Sequence, residues 1–364
     1  MPLDWGLGHA TRCIPIIKEL LINKCEVWVG ASGDQKTLLQ EEFPSLIFIE
    51  LPGYGIKYGK NRAFTFLKII ASIPKILIRV NRENQWFRQF CRLEKPDAVI
   101  SDNRYGLYAP GVYSVFITHQ LRIRTFLGRY ADALVQRLHY RMIRRFSVCW
   151  VPDKEEDDLA GELSHPSLLP AIPTRYIGLL SRMAPGPSVV QRADLLVLLS
   201  GPEPQRTVFE KMVLSQLEGY SGTVVLVRGL PGGRGENEVE VPGAGIKHPN
   251  LTVFPHLPAR ELGQWMSGAS LILCRSGYST LMDLARLGKK AILVPTPGQT
   301  EQEYLGRYWA AQRKAICVTQ SKFSLPAALA AAQHFPFSCK QEGPSDLLQM
   351  AIDQFLEEVQ ASVA

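Results

Sequence analysis

The chain has 364 residues, of which 46% are hydrophobic and 21% charged, so it is long enough for two domains and is not fibrous, collagen-like or disordered. No apolar stretch is long enough to cross a membrane, and the N-terminus lacks the basic and apolar segments of a secretory signal. Seven scattered cysteines without a CxxC pair argue against a disulfide framework and a zinc site, which predicts a cytoplasmic protein without a metal.

Short apolar, β-branched runs alternate along the chain with longer segments of helical periodicity. The predicted strands span residues 25–30, 46–51, 98–101, 115–118 and 148–151, and then 195–200, 223–228, 251–254, 271–274 and 291–295. The predicted helices include residues 10–23, 207–217, 259–267 and 280–287. This alternation predicts an α/β protein with parallel sheets covered by helices.

A Pro/Gly-rich segment at residues 178–191 separates two such blocks and predicts an interdomain linker. We therefore expect two Rossmann-like domains, at 1–180 and 190–340, with a cleft between them. Residues 345–361 predict a C-terminal helix that packs back on the first domain. The chain opens on the glycine turn Gly6-Leu-Gly-His-Ala-Thr-Arg12, which normally follows a central strand. The first strand is therefore expected to be truncated, with the natural start upstream, or to be a stub at residues 1–5.

One candidate ligand turn is Cys274-Arg-Ser-Gly-Tyr-Ser-Thr-Leu-Met-Asp283. An apolar strand, then Ser276 and Gly277, then a helix would place main-chain amides and the positive end of a helix dipole near a phosphate. Asp283 lies where a carboxylate can accept hydrogen bonds from ribose hydroxyls. The alternative is an ordinary strand-to-helix turn capped by Ser or Thr.

Two further turns have the same position after a predicted strand, where ligands bind in open α/β sheets. In one, the polar side chains of Glu301, Gln302 and Glu303 suit vicinal sugar hydroxyls, although a solvated helix start would have the same composition. The other turn contains Ser200, Gly201 and Arg206. Ser200 and Gly201 are predicted to contact a diphosphate, whose charge Arg206 could neutralise unless it is an ordinary surface residue.

Several motifs together resemble glycosyltransferase family 28, which includes the peptidoglycan N-acetylglucosaminyltransferase acting on lipid-linked muramyl-peptide. They are Cys274-Arg-Ser-Gly-x-x-Thr-x-x-Asp, Gly288-Lys-Lys-Ala-Ile-Leu-Val-Pro followed by Glu301-Gln302, the N-terminal Gly6-x-Gly-His-x-Thr-Arg, and Val115-Phe-Ile-Thr-His119-Gln. The resemblance implies the GT-B fold, in which two Rossmann-like domains face a cleft and the second holds the donor nucleotide. It also implies an inverting transfer without an obligatory metal or cofactor.

The resemblance also implies roles for individual residues. The residues implied to contact phosphate or ribose are Ser276, Gly277, Thr280 and Asp283. Those implied to contact the donor sugar are Gln302 and Glu303, and those implied to contact the base are Phe254 and His256. Gly8 is implied to lie beside the donor. The family enzyme has Glu at the position of Asp283, and its acceptor does not transfer to this chain. An inverting transfer needs stabilisation of the departing diphosphate, for which Arg275 and Arg206 are the candidate cations.

The transfer also needs a base near the acceptor hydroxyl. His9, at the junction of the glycine turn and the first helix, is preferred because histidine gains and loses a proton near neutral pH. Asp102, at the end of a predicted strand, and His119 are the alternatives.

The net charge of +7 lies entirely in residues 1–182, and residues 57–145 alone contain 18 basic and 5 acidic residues. Apolar residues interleave with these charges, which suits an anionic membrane surface carrying a lipid-linked acceptor, although a helix with a solvated basic face has the same pattern. Nucleic acid is not expected, because no helix-turn-helix, zinc or RNA-binding signature accompanies the charge.

The sequence thus predicts an inverting glycosyltransferase that uses a nucleotide-diphosphate sugar, with UDP as the expected nucleotide. A sugar-nucleotide epimerase or hydrolase on the same fold, and a non-catalytic nucleotide-sugar-binding protein, remain alternatives. A nicotinamide dehydrogenase is disfavoured, because the glycine turn lacks a third glycine.

Overall fold

The structure is a computed structural model, and it describes residues 1–4, 6–51, 62–125, 128–183, 192–231, 250–343 and 345–363. Part of the predicted linker (184–191) and part of the basic region (57–61) lie outside the described residues. No helix within the described ranges is both long and apolar enough to span a membrane.

The first domain is built on parallel strands. Its elements are α1 (Leu7–Ile22), β1 (Trp28–Ala31), α2 (Gly33–Glu42), β2 (Ile47–Glu50), α3 (Arg62–Glu94), β3 (Ala98–Asp102), β4 (Tyr113–Ile117), α4 (Arg129–Ile143), β5 (Val148–Val151) and β6 (Thr174–Tyr176). Strands β1 and β2 form one parallel pair, and β3, β4, β5 and β6 pair in that order. Strand β5 is buried along its whole length, which is typical of a parallel sheet covered on both faces.

Residues 1–3 lie between the two parts of this sheet. Pro2 forms a parallel bridge with Asp102, and the amino group of Met1 donates to the carbonyl of Ile100 at 3.0 Å. On the other side, a Cβ added to Gly30 of β1 would lie 3.1 Å from Cγ of Met1. Residues 1–3 therefore form a short extended segment before the glycine turn.

The second domain has one six-stranded parallel sheet. Its elements are β7 (Ala193–Leu198), α5 (Gln205–Leu214), β8 (Val224–Val227), β9 (Leu251–Phe254), α6 (Ala259–Gly268), β10 (Ala269–Cys274), α7 (Tyr278–Leu287), β11 (Ala291–Leu293), α8 (Thr300–Ala311), β12 (Ile316–Cys317) and α9 (Leu325–His334). The order of the strands is β12-β11-β10-β7-β8-β9. The strands after β7 are added towards one edge of the sheet and those after β10 towards the other, so the strand order reverses between β7 and β10. The carboxyl ends of these two strands flank the crevice where open α/β sheets bind ligands.

The C-terminal helix α10 (Leu347–Val363) packs against the first domain. Its Glu358 accepts hydrogen bonds from Arg175, with Nη1 to Oε2 at 2.9 Å, and from the hydroxyl of Tyr113. The ring of Phe355 meets Trp150 edge-on at 5.7 Å. The same hydrophobic cluster continues into β7 and β10, so the two domains share an apolar interior.

Each predicted strand and helix corresponds to an observed element, with ends displaced by a few residues. The sequence analysis did not identify β6 and β12, which have three and two residues and are too short to show a periodic pattern. For the basic region it offered a helix with a solvated basic face as one of two alternatives, and at residues 62–94 the structure has the single helix α3.

Candidate active site

The turn between β10 and α7 lies beside the reversal point of the second sheet. Gly277 precedes α7, and no side chain among the described residues caps the first amides of this helix. A Cβ added to Gly277 would meet nothing within 4 Å, so the space in front of the helix is open. Thr280 lies in the first turn and is partly exposed. Uncapped amides at a helix N-terminus attract anions, and the turn therefore has room for a phosphate.

The two residues before this glycine point into the protein instead. Ser276 is fully buried, and its hydroxyl donates to the carbonyl of Gln302 at 2.7 Å. Arg275 is also fully buried; its Nη1 donates to the carbonyl of Val294 at 3.0 Å, and its guanidinium lies 4.2 Å from the ring centroid of Phe209. Main-chain oxygens and an aromatic ring thus contact the guanidinium of Arg275, and its assistance to a departing diphosphate stays a prediction.

The turn after β7 faces the same crevice. Ser200 and Gly201 are exposed, and Gly201 adopts a φ of +99°, which favours glycine. A Cβ at Gly201 would lie 3.6 Å from Oγ1 of Thr296. That hydroxyl is buried and has no hydrogen-bond partner among the described residues. Because buried polar atoms are usually paired, Thr296 is a candidate ligand contact that the sequence analysis missed.

Arg206 follows this turn but forms ion pairs within its own helix region. It pairs with Glu203, and its Nη1 lies 3.1 Å from Oε2 of Glu210. Two carboxylates therefore compensate its charge. The neutralisation of a diphosphate by Arg206 stays a prediction, and it requires Arg206 to exchange these partners.

Asp283, Arg182 and His256 are neighbours in the second domain. Asp283 accepts a hydrogen bond from the hydroxyl of Ser181 at 2.6 Å, and burial raises the pKa of Asp283 to about 6 against the opposing charge of Arg182. Burial lowers the pKa of Arg182, whose Nε has no hydrogen-bond partner within the described part of the chain. Burial, together with the charge of Arg182, lowers the pKa of His256 to about 4. Arg182, which the sequence analysis missed, is thus the cation beside the predicted ribose site. Phe254, the last residue of β9, is half-buried two positions before His256.

The turn between β11 and α8 carries the three residues predicted to bind the donor sugar. Oε1 of Gln302 accepts from the amide of Thr296 at 2.9 Å, and Oε1 of Glu303 accepts from the amide of Gly298 at 3.3 Å, so both side chains brace the turn. Glu301 extends to the first domain, where its Oε1 lies 2.7 Å from Nε2 of His119. Glu301 therefore connects the two domains.

The three candidate bases converge on Arg12. Its Nε donates to Oδ2 of Asp102 at 2.8 Å, its Nη2 donates to Oδ1, and its Nη1 lies 3.0 Å from Nδ1 of His119. Nδ1 of His9 lies 3.0 Å from Oδ2 of Asp102 and 2.9 Å from Nη2 of Arg12. Arg12 and Asp102 are almost fully buried, whereas 15% of the His9 side chain is exposed. The charged cluster is therefore closed to solvent at Arg12 and Asp102 and accessible to solvent at His9.

The charges in this cluster fix two protonation states. Burial alone would raise the pKa of Asp102, but Arg12 and His9 hold the pKa of that carboxyl far below its usual range. Burial lowers the pKa of His119, although Glu301 opposes the change. Asp102 is therefore an anion at neutral pH, and His119 is a neutral imidazole.

Contacts between the first turns of α1 and α7 bring this cluster to the second domain. The ring of His119 stacks on Tyr278 with centroids 4.1 Å apart, and the hydroxyl of Tyr278 donates to the carbonyl of Pro152 at 2.7 Å. Ser279 donates to the carbonyl of Gly8 at 2.8 Å, and a Cβ on Gly8 would lie 3.0 Å from that hydroxyl. The glycine thus permits the approach of α7, and the charged cluster and the open helix N-terminus share one cleft.

Comparison with known proteins agrees with this arrangement. Residues 213–346 match the glycosyltransferase family 28 C-terminal domain. This segment is therefore similar to a family 28 domain. The UDP-N-acetylglucosamine--N-acetylmuramyl-(pentapeptide) pyrophosphoryl-undecaprenol N-acetylglucosamine transferase of Desulforudis audaxviator is 35% identical over 92 residues, which are 24% of each chain. The match therefore spans about a quarter of that relative. An uncharacterized glycosyltransferase of Methanosarcina acetivorans is 24% identical over 321 residues, 82% of this chain and 77% of the relative.

Solved glycosyltransferases match the family 28-like chain over nearly its whole length. MurG of Acinetobacter baumannii has a TM-score of 0.54 at 14% identity and covers 96% of both chains. The spinosyn rhamnosyltransferase SpnG complexed with thymidine diphosphate has a TM-score of 0.57 at 14% identity, covering 97% of this chain and 94% of its own. At these identities the likeness shows the fold. The predicted GT-B fold and the resemblance to family 28 are confirmed.

Arg12 is the main residue of the family 28-like site that the sequence analysis missed. It is the last residue of the quoted glycine motif and stands three positions after His9. Residues spaced by three lie on the same face of a helix, so the helix prediction could have paired them. Its acidic partner, however, is 90 residues away along the chain, and only the fold brings them together.

Proposed function

We propose that the protein is an inverting glycosyltransferase that moves a sugar from a UDP-sugar to a hydroxyl group of a lipid-linked acceptor. The carrying observation is that an anchored histidine and an open helix N-terminus face each other across one cleft. The first suits proton removal from an acceptor, and the second suits a departing diphosphate.

His9 is the proposed base because its rivals are occupied. Asp102 is a buried anion held by Arg12, and its lowered pKa makes it a weak proton acceptor. His119 uses both ring nitrogens, since Nδ1 accepts from Arg12 and Nε2 donates to Glu301. Among the described residues, the hydrogen bonds of the His9 ring involve Nδ1 alone.

Asp102 also decides which nitrogen of His9 carries the proton. Nη2 of Arg12 already donates to Oδ1 of Asp102. Of the two contacts of His9 Nδ1, with Asp102 and with Arg12, we therefore assign the hydrogen bond to the carboxylate. Nδ1 then bears the proton, and Nε2 has the lone pair that receives the proton of the acceptor hydroxyl. The acceptor oxygen bonds to the anomeric carbon as the bond from that carbon to the diphosphate breaks, and the carboxylate stabilises the imidazolium that forms.

In this proposal the departing diphosphate lies against the amides before α7 and near Arg182. Oriented main-chain donors can provide several kcal/mol of such stabilisation without a metal ion. Asp283 binds the ribose, Glu301 and Gln302 contact the donor sugar, and Thr296 offers a hydroxyl that has no partner within the described part of the chain. Donor binding opens the contact between Glu301 and His119, because the carboxylate must exchange that partner for sugar hydroxyls.

We further propose that the acceptor is presented at the cytoplasmic face of an anionic membrane. Exposed apolar side chains accompany the basic residues of α3 and α4, including Ile78 (53% exposed), Tyr130 (81%) and Leu134 (69%). Such a mixed surface suits the interfacial zone of a bilayer. Flotation with liposomes that contain or lack anionic lipid tests this: binding only with anionic lipid is expected, and no lipid-dependent binding would exclude it.

The function is tested by a thermal-shift screen of UDP- and dTDP-sugars, followed by product analysis with and without a lipid extract as acceptor. A ligand at 100 times its Kd stabilises a protein by about 2.7 kcal/mol. A product formed without acceptor would favour the epimerase or hydrolase alternative, and binding without turnover would favour the non-catalytic one.

The proposed base is tested in the same assay with His9→Ala. Turnover should fall by about 10²- to 10⁴-fold, the usual contribution of a general base, while affinity for the donor is unchanged. His334→Ala, at the exposed end of α9, is the control. Near-normal turnover of His9→Ala would remove His9 from this role.

A further inference from the structure

A small recess at the mouth of the cleft lies beside the cluster described above. The first domain contributes Arg122, Arg124 and Leu163 to its walls, and the second contributes Thr300 and Glu301. Its walls therefore combine two guanidinium groups with two apolar side chains, Ile123 and Leu163, and one carboxylate.

The two arginines share a single exposed carboxylate. Nη1 of Arg122 lies 2.6 Å and Nη1 of Arg124 lies 3.7 Å from Oε2 of Glu162. Both arginine side chains are 43% exposed, and Glu162 is 53% exposed. Two cations against one anion leave a positive charge on the wall that the first domain contributes, opposite the carboxylate of Glu301. Exposed ion pairs contribute at most about 1 kcal/mol, so an incoming anion can displace Glu162.

The position of Arg124 is fixed by contacts across the cleft. Its guanidinium lies 5.2 Å from the ring centroid of Tyr304, and its carbonyl accepts from the hydroxyl of Thr300 at 3.3 Å. The hydroxyl of Tyr304 in turn accepts from the amide of Glu162 at 2.9 Å. A guanidinium held in this way loses little freedom on binding, and its planar donors match the oxygens of a carboxylate or phosphate.

The recess adjoins the reactive cluster through Glu301. This side chain lines the recess and also accepts from His119, which contacts Arg12. An anion in the recess would therefore lie one side chain away from the proposed transfer site. That distance suits a substituent of the reacting substrates.

We propose that Arg122 and Arg124 bind an anionic group, a carboxylate or a phosphate, carried by one of the two substrates. The inference rests on the proposed function. A uronic acid in the donor would supply a carboxylate, and a phosphorylated acceptor would supply a phosphate. In both cases the group exchanges places with Glu162.

Calorimetry on the double variant Arg122→Gln/Arg124→Gln separates the two sources. The donor arm compares UDP-glucuronate with UDP-glucose. The acceptor arm compares dodecyl phosphate with neutral dodecyl glucoside, both below their micelle concentrations, on protein saturated with UDP. The control is Arg260→Gln/Arg307→Gln, which removes two exposed arginines of α6 and α8 outside the recess.

In the wild type and the control, the anionic ligand of one arm should bind at least about tenfold more tightly than its neutral partner, and the double variant should lose this preference. The inference is overturned if neither arm shows a preference, or if the preference survives in the double variant. UDP-glucose binding serves as the independent readout of the proposed function: if it is normal while the anion preference is absent, only the arginine site is refuted.

Discussion

Arg12→Gln is the sharpest test of how the cluster is held together. The substitution removes a guanidinium that contacts Asp102 through two nitrogens and His119 through a third. Asp102 has no exposed surface, so water cannot replace the lost donors. Removing one partner of a buried ion pair typically costs about 3–5 kcal/mol. The glutamine amide can restore one hydrogen bond, and we expect a loss near 3 kcal/mol in the free energy of unfolding.

The loss should also depend on pH. In the wild type the pKa of Asp102 lies below its usual range, so the stabilisation is present in full at neutral pH and is lost only in strong acid. In the variant the charge of Arg12 no longer opposes the effect of burial, so the pKa of Asp102 rises. The folded state then holds a proton more readily than the unfolded state, and the stability of the variant declines as pH rises. The difference from the wild type should therefore be larger at pH 8 than at pH 5.

Urea denaturation of the wild type and the variant at both pH values measures this difference. Because the two proteins are compared at the same pH, the contributions of the other titrating groups cancel. Arg137→Gln, an exposed change on α4, should lie within about 0.5 kcal/mol of the wild type. Arg12→Lys keeps the charge but not the forked donors and should fall between the wild type and Arg12→Gln. A loss below about 1 kcal/mol at both pH values would refute the assigned ion pair.

Three further substitutions test separate parts of the structure. Asp283→Asn removes a carboxyl whose pKa burial raises to about 6. Denaturation should therefore show the variant gaining stability over the wild type between pH 5 and pH 8, and a stability difference that is the same at both pH values would contradict this. Gly277→Ala should change the free energy of unfolding by no more than about 0.5 kcal/mol, because its added Cβ meets nothing. Calorimetry should nevertheless show at least about tenfold weaker UDP binding, and unaltered affinity would mean that the phosphates lie elsewhere. Glu358→Gln removes a partly exposed ion pair of α10 with the first domain and should cost about 1 kcal/mol in urea denaturation, whereas no change would show that apolar packing alone holds the helix.

Much of the fold follows from local patterns. Runs such as Val148–Val151 are apolar throughout because they are buried on both faces, and the same composition identifies a central parallel strand in any sequence. The turn at Gly277 was predicted for a related reason, since small residues between a strand and a helix leave main-chain amides open. Strands β6 and β12, of three and two residues, escaped detection, whereas the three-residue strand β11 was predicted because its apolar run extends to residue 295.

The chain itself therefore determined the alternating elements, the turns at the strand ends, the family 28 motifs and the chemical types of the candidate residues. Tertiary structure alone decided which side chains meet. The sequence analysis proposed His9, Asp102 and His119 as rivals, whereas the fold makes them partners around Arg12. Likewise, Arg275 is used inside the protein, while Arg182 lies beside Asp283. The reason is physical: a charge is compensated by whatever lies within a few ångströms, and those neighbours come from segments distant along the chain.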